Sequence, residues 1–329
     1  MHHAHEYGVT LATSSRPYLG DIGTEIAAHL PGTWSAELQI YSHPEWQQDL
    51  WSMLWATGEI HRALEDHRIP FASVLRNDAG TELLLAERPG HSSGYLVGAL
   101  TDHTDHTTDQ NDDPTAPRSI VLSDDPVLAA QAVAHTFLPA LHRALHNRDL
   151  DTVLAALTRI RLEYQALQEL NGSGHDRGPG SRLIEGMERD FADHAWLSFS
   201  HVLEYAPALL ARCRPAATSW PEDAAALTRL RGALASSQNA WTTWDNTRHE
   251  LYSIPRNLSA DEWSGIRAEL GSAVLPAMRT WLADVHSFER QVRAAEPRRP
   301  GTPSGPSPLL LAPRAAPALG PRQGPTTPH

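Results

Sequence analysis

The chain has 329 residues, 27 basic against 39 acidic side chains, and a formal net charge of −12 at pH 7. Every basic residue is an arginine, so the sequence contains no lysine. This excludes the lysine-dependent classes, among them P-loop NTPases, protein kinases and Schiff-base enzymes. The single cysteine, Cys213, excludes an intramolecular disulfide, a Cys-x-x-Cys zinc site and a four-thiolate iron–sulfur cluster.

Length and charge distribution divide the chain into three predicted parts. The length and the 41% content of hydrophobic residues predict two domains, each with its own hydrophobic core. Net charge is −12 over residues 1–147, −3 over 148–293 and +3 over 294–329. The last part is rich in proline and is predicted to be a disordered tail. The amino terminus lacks a signal-peptide pattern, and no apolar stretch reaches the roughly 18 residues of a membrane span, so we expect a cytoplasmic protein.

The first part begins with alternating helix and strand signals. Residues 19–30 predict a short helix that Pro31-Gly32 ends, and the alternation over 34–41 predicts a strand. Ser42-x-x-Glu45 then forms a capping box for one helix running to about Asp66, which would place Trp51 and Trp55 on one face.

Four further strands and a closing helix follow. Asn77-Asp78-Ala79-Gly80 is a hairpin turn signal between its two flanking strands. Because successive strands are not separated by crossover helices, we predict an antiparallel sheet in an α+β domain. The predicted strands cover 71–76, 81–87, 95–101 and 119–123, and the closing helix covers about 125–147.

The second part, residues 148–293, has helical periodicity throughout. Apolar residues step by three and four from Leu150 to Leu167, from Leu227 to Trp244 and from Trp263 to Val285. Four helices joined by short breaks predict an antiparallel four-helix bundle. The predicted fold class is therefore α+β, with an N-terminal antiparallel sheet and flanking helices, then the bundle and a disordered Pro-rich tail.

One candidate enzyme site lies on the second predicted bundle helix. His194 and His201 recur on one helical stripe, and Glu204 follows three residues later. Di-metal bundles use Glu-x-x-His on two helices, whereas this chain has only the reversed order and no second copy. The two interpretations are hydrogen-bonded, partly buried histidines and an acid–base or metal site.

Two loops carry weaker signals. His103, Asp105 and His106 could ligate a metal ion, but they come from one flexible polar loop, and a solvated acidic loop is the other interpretation. Gly90-His91-Ser92-Ser93-Gly94 matches the Gly-x-Ser-x-Gly nucleophile pattern, yet it lies between two predicted strands rather than before a helix. We therefore expect no cofactor.

A candidate partner-binding face lies on the third predicted bundle helix. Trp241, Trp244 and Arg248 share one helical face, and aromatic and arginine side chains dominate interface hot spots. The alternative role for these side chains is packing between bundle helices. The net charge argues against nucleic-acid binding, because affinity for DNA depends largely on neutralised phosphates.

The overall style of the sequence resembles that of uncharacterised proteins of GC-rich actinobacteria. The resemblance is carried by arginine-only, alanine-rich usage, by Leu30-Pro31-Gly32-Thr33-Trp34, by Asp124-Asp125-Pro126 with Ala129-Ala130, and by the proline-rich tail. It implies no activity and identifies no functional residue.

The favoured function is a non-catalytic module that binds an unidentified protein, since the acidic first part could steer a basic partner. The alternatives are an enzyme with the histidine–carboxylate or metal site, and an arginine-mediated nucleic-acid accessory protein. Oligomeric state stays open.

Overall fold

The α+β class is confirmed by the computed structural model, which describes residues 17–101, 115–172, 181–213, 221–253 and 260–297. A five-stranded antiparallel sheet comes first and four long helices follow it. The predicted tail lies outside the described residues from position 298 onward.

The sheet is a simple meander in which sequence neighbours are also spatial neighbours. Its turn at Asn77 is closed by the Asn77 side chain, which accepts hydrogen bonds from the amides of Ala79 and Thr81 at 3.0 and 2.8 Å. Gly80 has a φ of +80°, a conformation that favours glycine. In spatial order the strands are β1 Trp34–Ile40, β2 Phe71–Asn77, β3 Glu82–Glu87, β4 Tyr95–Leu100 and β5 Ile120–Leu122.

Helices cover both faces of this sheet, so its central strands are buried on both sides. Helices α1 (Leu19–His29) and α4 (Pro126–Ala132) pack on one face, and α2 (Pro44–Met53) and α3 (Glu59–Asp66) pack on the other. Alternate residues of each strand point to opposite faces, which is why two separate cores form. The first core contains Ile26, Leu75, Leu83, Leu85, Val97 and Phe137, and the second contains Leu50, Ile60, Val74, Leu84 and Leu96.

The prediction of one helix up to Asp66 is wrong. The residues between α2 and α3 run as extended chain against the sheet, where the Trp55 amide donates to the Ala99 carbonyl at 2.9 Å and Thr57 forms a bridge with Arg118. Trp55 is 2% exposed and belongs to the first core, whereas Trp51 is 36% exposed. The two tryptophans therefore do not share a face. The cap also differs, because His43 occupies the N-cap position of α2.

The helix predicted to end at Asn147 continues far beyond it. Asp125 caps α4 by accepting the amides of Val127 and Leu128, and a π-helical turn over Val133–Phe137 joins α4 to α5, which runs over Leu138–Gly172. The helix end was wrongly predicted, and the predicted domain boundary at 147/148 lies inside α5. The division into two domains stays a prediction.

The four long helices share one apolar core. They are α5, α6 (Ser181–Arg212), α7 (Pro221–Ser253) and α8 (Ala260–Ala294). The start of α7 lies beside the end of α8, since Asp223 bonds Arg290, and the start of α5 also meets the end of α8, since His146 bonds the Val292 carbonyl. These helix pairs are therefore antiparallel. Their core includes Leu150, Val153, Phe199, Val202, Leu227, Leu230, Met278, Trp281 and Phe288.

Candidate functional site

The apolar stripe of α7 changes character along its length. Leu227, Leu230 and Leu234 are buried in the helical core, whereas Trp241 and Trp244, further along the same face, are only half-buried. A spacing of three and four residues keeps these side chains on one face of the helix. The stripe therefore emerges from the core at Trp241 and Trp244.

Three tryptophans and an arginine form a continuous stack at this place, which we call the indole ladder: Trp196, Trp241, Trp244 and Arg248. The ring of Trp241 lies between the other two, with centroid distances of 5.0 Å to Trp196 and 4.8 Å to Trp244. The Arg248 guanidinium lies 5.1 Å from the Trp244 ring centroid, which is a cation–π distance.

The ladder brings together all three predicted partner-binding residues. Trp241, Trp244 and Arg248 lie in one stack, and Trp196 of α6 extends it to a second helix. Trp241 thus packs against α6, as the alternative interpretation of this face required. Trp196 was not predicted, because a single sequence shows which residues share a helix face and not which face a neighbouring helix presents to it.

The polar atoms of the ladder are only partly satisfied. Arg248 forms an ion pair with Asp245 at 2.8 Å. However, the Trp244 Nε1 and Arg248 Nε atoms are buried and have no hydrogen-bond acceptor among the described residues. A buried donor left unpaired costs about 1–3 kcal/mol. The core residue Trp281, which is 0% exposed, also has an unpaired Nε1 among the described residues, so the ladder differs from core packing in being half-buried and not in its unpaired donors.

Short polar side chains of α7 lie next to the ladder. Thr242, Thr243 and Thr247 are exposed, and each hydroxyl donates to the carbonyl four residues earlier at 2.9 Å. Since these hydroxyl groups already donate within the helix, they keep their acceptors when a partner covers this surface. A half-buried aromatic centre with a polar rim is the usual composition of a protein-binding hot spot.

The predicted enzyme site is only partly visible. His201 is half-buried and makes an edge contact with the Tyr205 ring, with 6.5 Å between centroids, while Glu204 is exposed. The side chain of His194 lies outside the described part of the chain. The structure therefore brings no described carboxylate against His201, and the enzyme site stays a prediction.

The predicted metal loop cannot be located. His103, Asp105 and His106 fall in residues 102–114, which lie outside the described ranges. Within the ranges that are described, no three His, Cys, Asp or Glu side chains are grouped so that they could hold a metal ion. The Gly-x-Ser-x-Gly match lies in the loop between β3 and β4, as its predicted position between two strands required.

A buried histidine that the sequence analysis did not single out lies where α5, α6 and α8 meet. His146 Nε2 donates to the Val292 carbonyl at 3.1 Å, and Arg212 donates to His146 Nδ1 at 3.3 Å. Burial lowers the pKa of His146, which favours the neutral ring that this pattern requires. Because both ring nitrogens are bonded, His146 joins three helices and has no nitrogen left for proton transfer.

Comparisons with known proteins give no relative from which a function could be transferred. No protein-family model, no curated protein and no solved structure matches the chain. Among the helices in the described ranges, none has both the length and the apolar character needed to cross a bilayer.

Proposed function

We propose that this protein is a non-catalytic interaction module that binds another protein through the indole ladder. The observation that carries the proposal is the stack itself: three indoles and a guanidinium, half-buried on the face of α7 that elsewhere forms the core. Tryptophan and arginine are the residue types most enriched among side chains that dominate binding energy.

The ladder is prepared for binding because its side chains are already ordered by one another. Trp241 is held between two rings, and Arg248 is held by both Trp244 and Asp245. Association normally costs about 0.5–1.5 kcal/mol for each flexible side chain that becomes immobile. Rings and a guanidinium already stacked in the unbound protein avoid part of that cost.

Charge indicates the kind of partner. The chain carries a net charge of −12, and its acidic excess is concentrated in residues 1–147. A protein of this charge attracts basic surfaces over distances of about a Debye length, roughly 8 Å at physiological salt. The ladder itself lies in residues 148–293, whose net charge is only −3, so charge guides the approach of a partner more than the contact. The expected partner is a protein with an apolar contact for the ladder and basic side chains elsewhere on its surface.

A photo-cross-linking experiment tests the proposal. A photoreactive amino acid replaces Thr247, beside the ladder, in the full-length protein, and the cross-linked product from native cell extract is identified by mass spectrometry. The identified protein is then purified, and its affinity is measured by isothermal titration calorimetry. We expect Trp244→Ala to weaken that affinity at least tenfold, or about 1.4 kcal/mol, as for a hot-spot residue.

Thr228 provides the matched control. It is also an exposed α7 threonine whose hydroxyl donates to the carbonyl four residues earlier, but it lies on a part of the helix far from the ladder. The photoreactive residue at Thr228 should not capture the same protein. Equal capture from both positions, or an unchanged affinity for a folded Trp244→Ala variant, would refute the proposal.

A further inference from the structure

A cleft lies in the sheet region, between α3 and the loop that joins β3 to β4. Its volume is about 400 Å³, within the range of roughly 300–1,000 Å³ that small-molecule sites occupy. The half-buried Pro89 supplies apolar surface, since Ala63 and Leu96 behind it are buried. Two guanidinium groups, two imidazoles and the carboxylates of Glu59 and Asp66 also line the cleft. The cleft therefore combines a small apolar surface with two guanidinium groups that can donate to an anion and two carboxylates that oppose one.

Arg88 is fixed in position on the loop side of the cleft. Its Nε donates to Oε1 of Glu59, and both side chains are about one-third exposed or less. A guanidinium has five N–H donors, and the described bond to Glu59 uses the one on Nε. The terminal nitrogens of Arg88 are the donors that can make the paired contacts typical of carboxylate and phosphate recognition.

Arg62 supplies the second guanidinium from α3. Its side chain is exposed and makes no ion pair or hydrogen bond to the residues that the structure describes. Most other described arginines have such a partner, including Arg76, Arg88, Arg229, Arg248, Arg290 and Arg293. What distinguishes Arg62 from other exposed arginines such as Arg68 is that its guanidinium lines the cleft, on the side opposite Arg88.

The loop that carries Arg88 is shaped by two glycines. Gly90 and Gly94 have φ values of +71° and +88°, which favour glycine, and a Cβ atom on Gly94 would lie 3.2 Å from the Leu122 carbonyl oxygen. The Gly94 amide donates to Asp124 at 2.6 Å, which fixes the end of the loop against the chain that follows β5. The loop therefore holds Arg88 opposite α3 by its backbone geometry.

We propose that this cleft binds a small organic anion, with its phosphate or carboxylate group between Arg62 and Arg88 and its apolar body against Pro89. This site is independent of the indole ladder and of any protein partner. Asp66 also lines the cleft, and its carboxylate opposes an anion there. The proposal therefore specifies the sign of three effects: loss of either arginine weakens binding, and neutralising Asp66 strengthens it.

Phenyl phosphate is a suitable probe, because it joins a phosphate to a flat apolar ring. Isothermal titration calorimetry on the full-length protein should show saturable binding of one phenyl phosphate per chain, with weaker binding of inorganic phosphate, which lacks the ring. We expect Arg62→Gln to weaken phenyl phosphate binding roughly tenfold, because a charge-assisted contact is lost. Asp66→Asn should tighten it severalfold.

Arg68→Gln is the matched control, since Arg68 is an exposed arginine close to α3 that does not line the cleft. The Arg68→Gln variant should bind phenyl phosphate with the same affinity as the unmodified protein. Arg88→Gln also breaks the ion pair with Glu59, so circular dichroism is used to check that this variant is folded. The affinity of the Arg62→Gln variant is therefore the deciding test of the proposal. The proposal fails if no saturable binding occurs, if Arg62→Gln and Arg68→Gln bind equally, or if Asp66→Asn weakens binding.

Discussion

The two ends of helix α7 differ in how completely their polar groups are paired. At its start, which we call the clamped end, Asp223 is buried and accepts hydrogen bonds from Arg290 at 2.7 and 3.0 Å and from Gln291 at 2.8 Å. Towards its other end, the indole ladder leaves Trp244 Nε1 and Arg248 Nε without acceptors among the described residues.

This difference indicates that one end of α7 mainly stabilises the fold and the other mainly provides a binding surface. Paired buried polar groups fix the positions of helices relative to one another, and they are costly to disrupt. Half-buried rings contribute less burial to folding, and their exposed edges leave apolar surface for a partner. We therefore expect substitutions at the clamped end to change stability most and substitutions in the ladder to change binding most.

The largest expected effect comes from emptying the core near the clamped end. Phe288 is fully buried, and its ring meets Trp281 edge-on at 5.1 Å. Phe288→Ala should lower the free energy of unfolding by about 3–5 kcal/mol, because it removes apolar contact and leaves a cavity. Urea denaturation followed by circular dichroism measures this. Leu162→Ala, at a residue that is 60% exposed, should change it by less than about 0.5 kcal/mol.

A loss below about 1 kcal/mol for Phe288→Ala, relative to that control, would contradict the assignment of stability to this end of the helices.

An intermediate effect is expected from Asp223→Asn, which removes a buried charge partner of Arg290. Hydrogen bonds from Arg290 hold the pKa of Asp223 well below its usual value. A carboxyl group with a lowered native pKa stabilises the fold above its unfolded pKa of about 3.9, and this contribution is lost as pH falls through the native value. At pH 7 the substitution should cost about 2 kcal/mol.

The measurement is urea denaturation of both proteins between pH 7 and pH 2. The difference between them should be constant at neutral pH and should shrink below about pH 4, where the unmodified carboxyl begins to lose its advantage. Asp151→Asn, at an exposed α5 position, should show no such difference. A difference that grew on acidification would contradict the role given to Asp223.

The smallest effect is expected within the ladder. Arg248→Gln removes the guanidinium 5.1 Å from the Trp244 ring centroid and the ion pair with Asp245. A double-mutant cycle with Trp244→Leu, built from free energies of unfolding in urea, measures the coupling between the two residues. We expect a coupling energy of about 0.5–1 kcal/mol, the usual size of an accessible cation–π contact. Arg293→Gln in the same cycle should show no coupling to Trp244, and coupling as large for Arg293 would contradict the stacked geometry.

Much of the sheet could be predicted because local signals and tertiary structure agree there. The strands Trp34–Ile40 and Phe71–Asn77 lie within a residue of their predicted bounds, since alternation and a strong turn specify both the strands and their pairing. The break between α2 and α3 could not be predicted in this way. It depends on hydrogen bonds such as that between Trp55 and Ala99, which are 44 positions apart.

The candidate site was predictable only along one helix. The spacing of Trp241, Trp244 and Arg248 placed them on a common face, but the position of Trp196 depends on how α6 packs beside α7. The cleft was not predicted at all, because Arg62 and Arg88 come to line the same cleft only when α3 packs beside a loop that is distant in the sequence. Local periodicity contains no information on such approaches.

Helix α5 fixes the angle between the side chains that it contributes to the sheet core and those that it contributes to the core of the long helices. Leu141 contributes to the first sheet core and Leu150 to the core of the long helices. Nine residues at about 100° each place these two side chains on opposite sides of the helix. A one-residue insertion at Asn147 would turn everything after it by about 100° and advance it by about 1.5 Å. The junction therefore cannot absorb insertions or deletions as a flexible linker does, and length variation should fall elsewhere.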